Sequence, residues 1–331
     1  MRLDTLLSAL DDPTRLRIMR LLAAMELAVG ELAQVLGQSQ PRVSRHVRIL
    51  CDAGLAQRHK EGSWVFLRSA LGGREGSLGA LAAQLLAAGE AQDEAFAARC
   101  AEDRRHLAAI RATRERAAAD YFAAHAEEWD SLRSLHSPDS EVEAALAEAL
   151  SDAPLGNLLD IGTGTGRMAE LFADRAGHVT AFDKSPDMLR LARARLQHLP
   201  GEDYAIVQGD FAALPFAPAS FDTVLFHQVL HYATEPAYAL AEAARVCRSG
   251  GRIAIVDFAA HEREELRQDH AHARLGFADE AMLALLTEAG FTPAGSPVSL
   301  TGGALTVKIW LAVRDGAPAT ATTAGKLAHA A

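Results

Sequence analysis

Asn157-Leu158-Leu159-Asp160-Ile161-Gly162-Thr163-Gly164-Thr165-Gly166-Arg167-Met168-Ala169-Glu170-Leu171-Phe172 is the stretch on which the reading of this chain turns. A short apolar run with an acid near its end leads into a loop with glycine at every second position, and a helical pattern follows. Strand, glycine loop, helix brings the backbone close to a ligand. Glycine allows positive φ and puts no side chain in the way, and open α/β sheets bind ligands at the carboxyl ends of their strands. A dinucleotide fingerprint would read GxGxxG. Here position 167 is arginine, so the pattern is Asp-x-Gly-x-Gly-x-Gly.

More strands follow in order. His178-Val179-Thr180-Ala181-Phe182 ends at Asp183. An acid there, about 20 residues past the loop, can accept hydrogen bonds from both ribose hydroxyls of a nucleoside. Ser185 and Pro186 then open a helix as cap and first-turn residue. Ala205-Ile206-Val207-Gln208 ends in Gly209-Asp210-Phe211, Phe221–Phe226 ends at His227-Gln228, and Arg252–Asp257 follows the turn Ser249-Gly250-Gly251. Leu305–Val313 suits a reversed final strand. One strand-end acid would be an ordinary cap or turn; Asp160, Asp183 and Asp210 at successive strand ends point to a shared polar ligand.

This ordered set, from about Leu158 to Arg314, resembles the class I S-adenosylmethionine-dependent methyltransferases. The resemblance implies a Rossmann-like α/β domain with a mixed seven-stranded sheet and S-adenosyl-L-methionine as cofactor. It further implies a site formed by Asp160, Gly162, Thr163, Gly164, Gly166, Asp183, Lys184, Met188, Gly209, Asp210, Phe211 and His227. The loop would wrap the methionine part, Asp210 would accept from the adenine amino group, and Phe211 would lie near the ring.

Methyl transfer is an in-line displacement with a good leaving group, so the protein must mainly position the acceptor and, where needed, take its proton. His227 and His231 follow the fourth strand and are the candidate catalytic residues. The stretch His261–His272 has a helical, amphipathic pattern, and neighbours at 270 and 272 do not share a helix face; no metal site is expected, and lid and acceptor-binding roles both stay open. Tyr121, Phe122 and Trp129 either roof the cofactor or pack on the sheet.

The start of the chain reads differently. Asp12-Pro13-Thr14-Arg15 opens one helix, Val29–Leu36 forms another ending at Gly37, and Gln38–Leu50 forms a third with Val43, Val47 and Leu50 inward. Gln40, Arg42, Ser44, Arg45 and Arg48 stay outside, the pattern of a helix-turn-helix with a basic recognition helix. A hairpin turning at Glu61-Gly62-Ser63 suits a wing over phosphates. Asp12–Arg15, Ser39–His46 and Glu61–Val65 carry a resemblance to the winged-helix domain of the ArsR/SmtB repressors. It implies DNA contacts from Ser39, Gln40, Arg42, Ser44, Arg45 and Arg48, with Lys60 on the wing, and a homodimer made by flanking helices. The paired cysteines of metal-sensing members are missing from Leu27–Leu32.

Charge agrees with this division. Residues 1–70 hold ten basic and seven acidic side chains, +3, which leaves −13 on the remainder of a chain of net charge −10. Only the head therefore suits a phosphate backbone. Three scattered cysteines, no signal-peptide pattern and no run of about 18 apolar residues favour a cytoplasmic protein without a membrane span. The expected layout is a winged-helix domain at 1–75, helices for linkage, dimerisation and cofactor covering at 76–150, the methyltransferase domain at 151–314 and a disordered tail at 315–331. The expected partners are double-stranded operator DNA and a small-molecule methyl acceptor. Three functions compete: a regulator fused to a small-molecule methyltransferase, a non-catalytic sensor of S-adenosylmethionine or S-adenosylhomocysteine, and a nucleic-acid methyltransferase. The last lacks an Asn/Asp-Pro-Pro-aromatic signature, position 227 onward reading His-Gln-Val-Leu.

Overall fold

The asparagine-to-glycine stretch at 157–166 forms a strand and loop inside the larger of two units of a computed structural model, which describes residues 2–61, 64–71, 76–129, 139–201 and 203–316. The units are Met1–Ala118 with Glu262–Glu265, and Ala119–His261 with Leu266–Ala331. Residues 317–331 of the expected tail, residues 72–75 at the end of the expected winged-helix domain, and the hairpin tip Gly62-Ser63 lie outside the described residues.

The first unit runs α1 (Leu3–Leu10), α2 (Pro13–Leu22), β1 (Leu27–Ala28), α3 (Val29–Leu36), α4 (Gln40–Asp52), β2 (Ala56–Glu61), β3 (Trp64–Ser69), α5 (Leu78–Gln92) and the start of α6 (Glu94–His125). The Asp12 carboxylate caps α2 by accepting from Thr14 and Arg15 N–H, with Pro13 in the first turn. Gly37, in the left-handed region, closes α3. Val43, Val47 and Leu50, at helical spacing, bury one face of α4. They join Ile18, Met19, Leu32, Leu55 and Leu67 in a core that also takes Leu86 of α5 and Leu107 of α6. Strands β2 and β3 pair antiparallel from Ala56↔Ser69 to Glu61↔Trp64, with β1 on the other side of β3. Two ion pairs fasten the later helices to α2. Arg17 Nε donates to the buried Asp103 at 2.7 Å, and Arg20 and Arg104 share Glu90 at 2.6 Å each.

In the second unit come α7 (Asp139–Ala149), β4 (Asn157–Ile161), α8 (Arg167–Phe172), β5 (His178–Asp183), α9 (Pro186–Leu196), β6 (Tyr204–Gln208), β7 (Phe221–His227), α10 (Pro236–Val246), β8 (Cys247–Phe258), α11 (Glu265–Asp269), α12 (Asp279–Glu288), β9 (Phe291–Pro293), β10 (Val298–Leu300) and β11 (Val307–Arg314). The sheet order is β10-β11-β8-β7-β4-β5-β6, with β9 also on β11. Strands β4 to β8 are parallel, and β11 runs antiparallel to β8. Side chains alternate across the sheet. Leu159, Ile161, Val224, Phe226 and Ile255 face a core with Leu240 of α10 and Leu286 of α12. Leu158, Val179, Ala181, Leu225 and Val256 face another with Leu146 of α7 and Phe172 of α8.

The mixed sheet has the seven strand positions expected, but eight strands. The outermost position is filled by two short strands, β9 opposite Ala312–Arg314 and β10 opposite Val307–Ile309, because Gly295 at φ +75° breaks the run between them. The anticipated turn at Ser249-Gly250-Gly251 is instead part of β8, absorbed by a register shift between the Phe221 and Thr223 pairs. The helical expectation for 261–272 is corrected too. Only Glu265–Asp269 is helical, and Ala271 at φ +56° turns the chain so that His272 is buried.

Candidate cofactor site and DNA-reading helix

β4 pairs with β5 on one side and β7 on the other, so the strand order reverses at β4. The crevice at such a switch point is where open sheets bind ligands, and the glycine loop leaves β4 there. Gly162 and Thr163 N–H donate to Phe182 O at 2.7 and 3.0 Å, tying the loop to the end of β5. Asp160 is buried, and its carboxylate accepts from the Thr163 hydroxyl at 2.6 Å. It braces the loop from behind.

Gly162, Gly164 and Gly166 all have positive φ, but for different neighbours. A Cβ on Gly162 would stand 2.3 Å from Val229, and one on Gly166 would stand 3.1 Å from Ala192, so protein packing explains both. Among the described residues, a Cβ on Gly164 would meet only the Trp129 indole, at 3.6 Å. Gly164 N–H donates to Asp183 Oδ2 at 2.8 Å, while Ser185 N–H donates to Oδ1 at 2.8 Å. Each carboxylate oxygen keeps a further lone pair for a hydroxyl. Burial pushes the Asp183 carboxyl above the usual carboxylate range, against the pull of the N–H donors of Ser185, Gly164 and Lys184.

At the end of β6, Gly209 N–H donates to Asp183 O at 3.0 Å, and a Cβ on Gly209 would strike the Phe182 ring at 2.8 Å. Lys184 donates to Asp210 Oδ2 at 2.8 Å, and Ala212 N–H to Oδ1 at 2.9 Å. Although burial raises it, the Lys184 ammonium and the Ala212 N–H hold the Asp210 carboxyl below its usual range. Phe211 is half-buried against the same core that Val207 and Phe216 pack on. Ser185 Oγ caps α9 by accepting from Met188 N–H, and the Met188 side chain is buried. His227 ends β7, nearly buried. The predicted residues of the glycine loop and of the β5 and β6 ends are thus joined by hydrogen bonds, and the buried Met188 is tied to them through Ser185.

His231 has a setting that the sequence did not disclose. Its Nδ1 lies 2.8 Å from Asp257 Oδ1, and its own N–H donates to Asp257 Oδ2 at 3.1 Å. Phe258 N–H gives Asp257 Oδ1 a further donor at 2.7 Å. Both residues are buried, at 2% and 0% side-chain exposure. The His231 ring packs on Tyr232 (4.0 Å between centroids), His272 (4.2 Å) and Phe258 (5.0 Å). Its Nε2 has no hydrogen-bond partner among the described residues, a state that costs about 1–3 kcal/mol in a buried group. Tyr121 OH bonds His270 Nδ1 at 2.8 Å, and Phe122 meets Tyr232 at 4.9 Å and Trp129 at 5.2 Å. Asp257 could have been noticed as a fourth acid at a strand end; the partnership across 26 residues could not. Among the described residues no three metal-ligating side chains come together, and no helix is long and apolar enough to cross a membrane.

In the first unit Ser39, Gln40, Arg42, Ser44, Arg45 and Arg48 are all exposed along or just before α4. Lys60 is exposed on β2, across from Val65.

Comparison with known proteins gives both halves a place. Residues 12–58 match the family model for bacterial regulatory proteins of the arsR family, and residues 159–255 match that of a methyltransferase domain. A demethylmenaquinone methyltransferase of Renibacterium salmoninarum is 36% identical over 113 residues, covering 34% of this chain and 46% of that one. A ubiquinone/menaquinone biosynthesis C-methyltransferase of Paracoccus denitrificans is 39% identical over 119 residues, covering 35% and 48%. The chain thus spans about half the length of these relatives. A methyltransferase solved in complex with a Haloferax volcanii methyltransferase activator has the same fold, with a TM-score of 0.50 at 22% identity, covering 60% of this chain and 98% of that one. The chain therefore carries an arsR-family helix-turn-helix domain followed by a methyltransferase domain. The geometry at the ends of β4 and β5 suits a nucleoside cofactor. Among the described residues a Cβ on Gly164 would meet a single side chain, and Asp183 has acceptor capacity left for a diol.

Proposed function

We propose that the chain is a transcriptional regulator, reading operator DNA through residues 1–75, fused to a methyltransferase that acts on a small molecule through residues 151–314. The observation that carries the enzymatic half is the Asp183–Gly164 hydrogen bond at the switch point of the sheet. It sets an acid for the ribose hydroxyls beside a stretch of backbone with room for the methionine part. Asp183, Gly164, Gly209 and Asp210 would hold the cofactor, with His227 and Phe211 at its rim. S-adenosylmethionine supplies an electrophilic methyl group on a sulfonium. The protein's own part is to seat the acceptor, exclude water and remove the acceptor's proton. The net charge of −13 outside the first 70 residues opposes a nucleic-acid substrate, and the named quinone-biosynthesis relatives support a small one.

The test is to incubate the full chain with methyl-labelled S-adenosylmethionine, a metabolite extract and DNA. Label in a low-mass product is the expected result. Label on DNA contradicts the small-molecule reading. No label, with operator affinity changed by S-adenosylhomocysteine, replaces the enzyme with a sensor.

Twofold pairing belongs to the same reading. Leu3 and Leu7 on α1 are 56% and 53% exposed, and Leu81 and Leu85 on α5 are 50% and 60% exposed. Each pair has the i,i+4 spacing that puts both side chains on one helix face, and exposed apolar patches mark contact sites. A dimer through α1 and α5 would present two α4 helices to a palindromic operator. The double substitution Leu81→Glu, Leu85→Glu is expected to halve the mass found by light scattering and to weaken operator binding at least tenfold. An unchanged mass would remove α5 from the interface. A cytoplasmic location accompanies this reading.

A further inference from the structure

We propose that His231 is the general base that deprotonates the methyl acceptor, that Asp257 positions it, and that the acceptor is a flat hydroxylated aromatic held among Phe122, Trp129 and Tyr232. This rests on the reading of the second unit as a small-molecule methyltransferase. A carboxylate accepts hydrogen bonds and donates none. Asp257 faces three N–H groups: His231 Nδ1–H, His231 backbone N–H and Phe258 N–H. A ring proton therefore sits on Nδ1, which leaves Nε2 as the atom for proton exchange with the acceptor. That atom is buried and has no hydrogen-bond partner among the described residues. A ring fixed on one nitrogen by a buried acid, with the other nitrogen unpartnered, is the base-and-orienter arrangement of proton-transferring sites.

The dyad connects to the cofactor loop through a chain of aromatic contacts. Val229 faces Gly162 and the Trp129 indole faces Gly164. Trp129 meets Tyr232 at 6.2 Å between centroids, and Tyr232 meets His231 at 4.0 Å. Phe122 closes the cluster edge-on to both Trp129 and Tyr232. Such rings bind a flat aromatic by stacking and edge contacts. Tyr232 adds only a neutral phenol, since burial pushes its ionisation well above the usual tyrosine range.

In the step, the acceptor hydroxyl gives its proton to Nε2, and the oxygen's electron pair forms the bond to the methyl carbon. The carbon–sulfur bond breaks with its pair left on sulfur, so the sulfonium charge is discharged while the imidazolium gains one. The imidazolium then returns its proton to solvent when the product leaves. Asp257 stabilises the transient imidazolium.

The test uses the full chain and 1,4-dihydroxynaphthalene, kept reduced with ascorbate. Calorimetry on protein saturated with S-adenosylhomocysteine should show this probe binding, with at least tenfold loss in Phe122→Ala. His231→Gln should lower kcat for the probe by about 10²–10⁴-fold, and Asp257→Asn by a smaller factor. Both should hold KM and S-adenosylhomocysteine affinity within threefold. Nitrogen-15 spectra should place the His231 proton on Nδ1 in the parent chain and lose that signature in Asp257→Asn. A His231→Gln variant that folds and keeps its kcat, failure of the probe to bind the parent chain, or a His231 proton on Nε2 each overturns the assignment. If His231→Gln does not fold, the Phe122→Ala affinity and the nitrogen-15 signature decide. Should the parent chain label another compound but ignore the probe, only this assignment fails. Should it neither bind S-adenosylhomocysteine nor label anything, the methyltransferase reading fails with it.

Discussion

Replacing Arg42 and Arg45 together with alanine is expected to weaken operator binding by about 10²–10⁴-fold, each arginine contributing about 1–3 kcal/mol if it reads a base edge. Both side chains are exposed on α4. The buried face of that helix is carried by Val43, Val47 and Leu50, which the substitutions leave alone. Thermal stability should therefore stay within a degree or two. The chain's helix begins at Gln40 with Ser39 as its N-cap, so Arg42, Ser44 and Arg45 occupy its first two turns. This is the part of a recognition helix that meets base edges in the major groove. Fluorescence anisotropy with DNA from upstream of the chain's own coding region checks the expectation. Affinity unchanged at matched salt would mean that another surface reads the operator.

Gly276→Ala is expected to cost the second unit several kcal/mol, about 4 or more, and to lower its melting temperature by roughly 10 °C. Gly276 has φ +75°, and an added Cβ would lie 2.2 Å from the Ala259 carbonyl oxygen and 2.7 Å from that of Phe258. Those neighbours are backbone and cannot rotate away. The left-handed conformation alone costs an alanine about 1–2 kcal/mol. Next to it, Phe277 N–H donates to Phe258 O at 2.9 Å and Ala260 N–H donates to Phe277 O at 3.1 Å. The same segment donates Ala273 and Arg274 N–H to His231 O. Displacing it would loosen the support of His231 as well as the fold. Calorimetry checks the melting shift; a change below about 2 °C would mean that the backbone there yields easily.

Local patterns of the sequence carried much of the architecture. The apolar runs at 157–161, 178–182 and 221–226 form β4, β5 and β7, and the strand-end acids sit where the ligand crevice opens. Helix α4 shows the predicted inward valines and outward arginines because one helical face had to be apolar. What stayed illegible depends on contacts between distant residues. Asp257 and His231 meet because β8 lies beside β7, and no local spacing records that adjacency. Tyr232 follows the candidate His231 without any local mark of its role, yet it meets Phe122 of α6 and Trp129. Gly276 attracted no notice, since its need for a hydrogen side chain comes from the backbone at 258–259. Among the predicted cofactor residues, Asp160 braces the loop and Met188 is buried in α9. Their places follow from the burial of the β4 end and of the inner face of α9.

The most direct measurement for this account is calorimetric titration of S-adenosylmethionine and S-adenosylhomocysteine into the full chain and into Asp183→Ala. One site per chain is expected for each ligand. The substitution should weaken both by about 10²-fold or more, because hydrogen bonds to a charged group contribute about 1.5–3 kcal/mol each and Asp183 is placed to accept two. Circular dichroism should remain that of the parent chain, since the β5 strand ends at this residue rather than depending on its side chain. Binding that survives Asp183→Ala undiminished, or a parent chain that binds neither ligand, would contradict the assignment of the cofactor to the ends of β4 and β5.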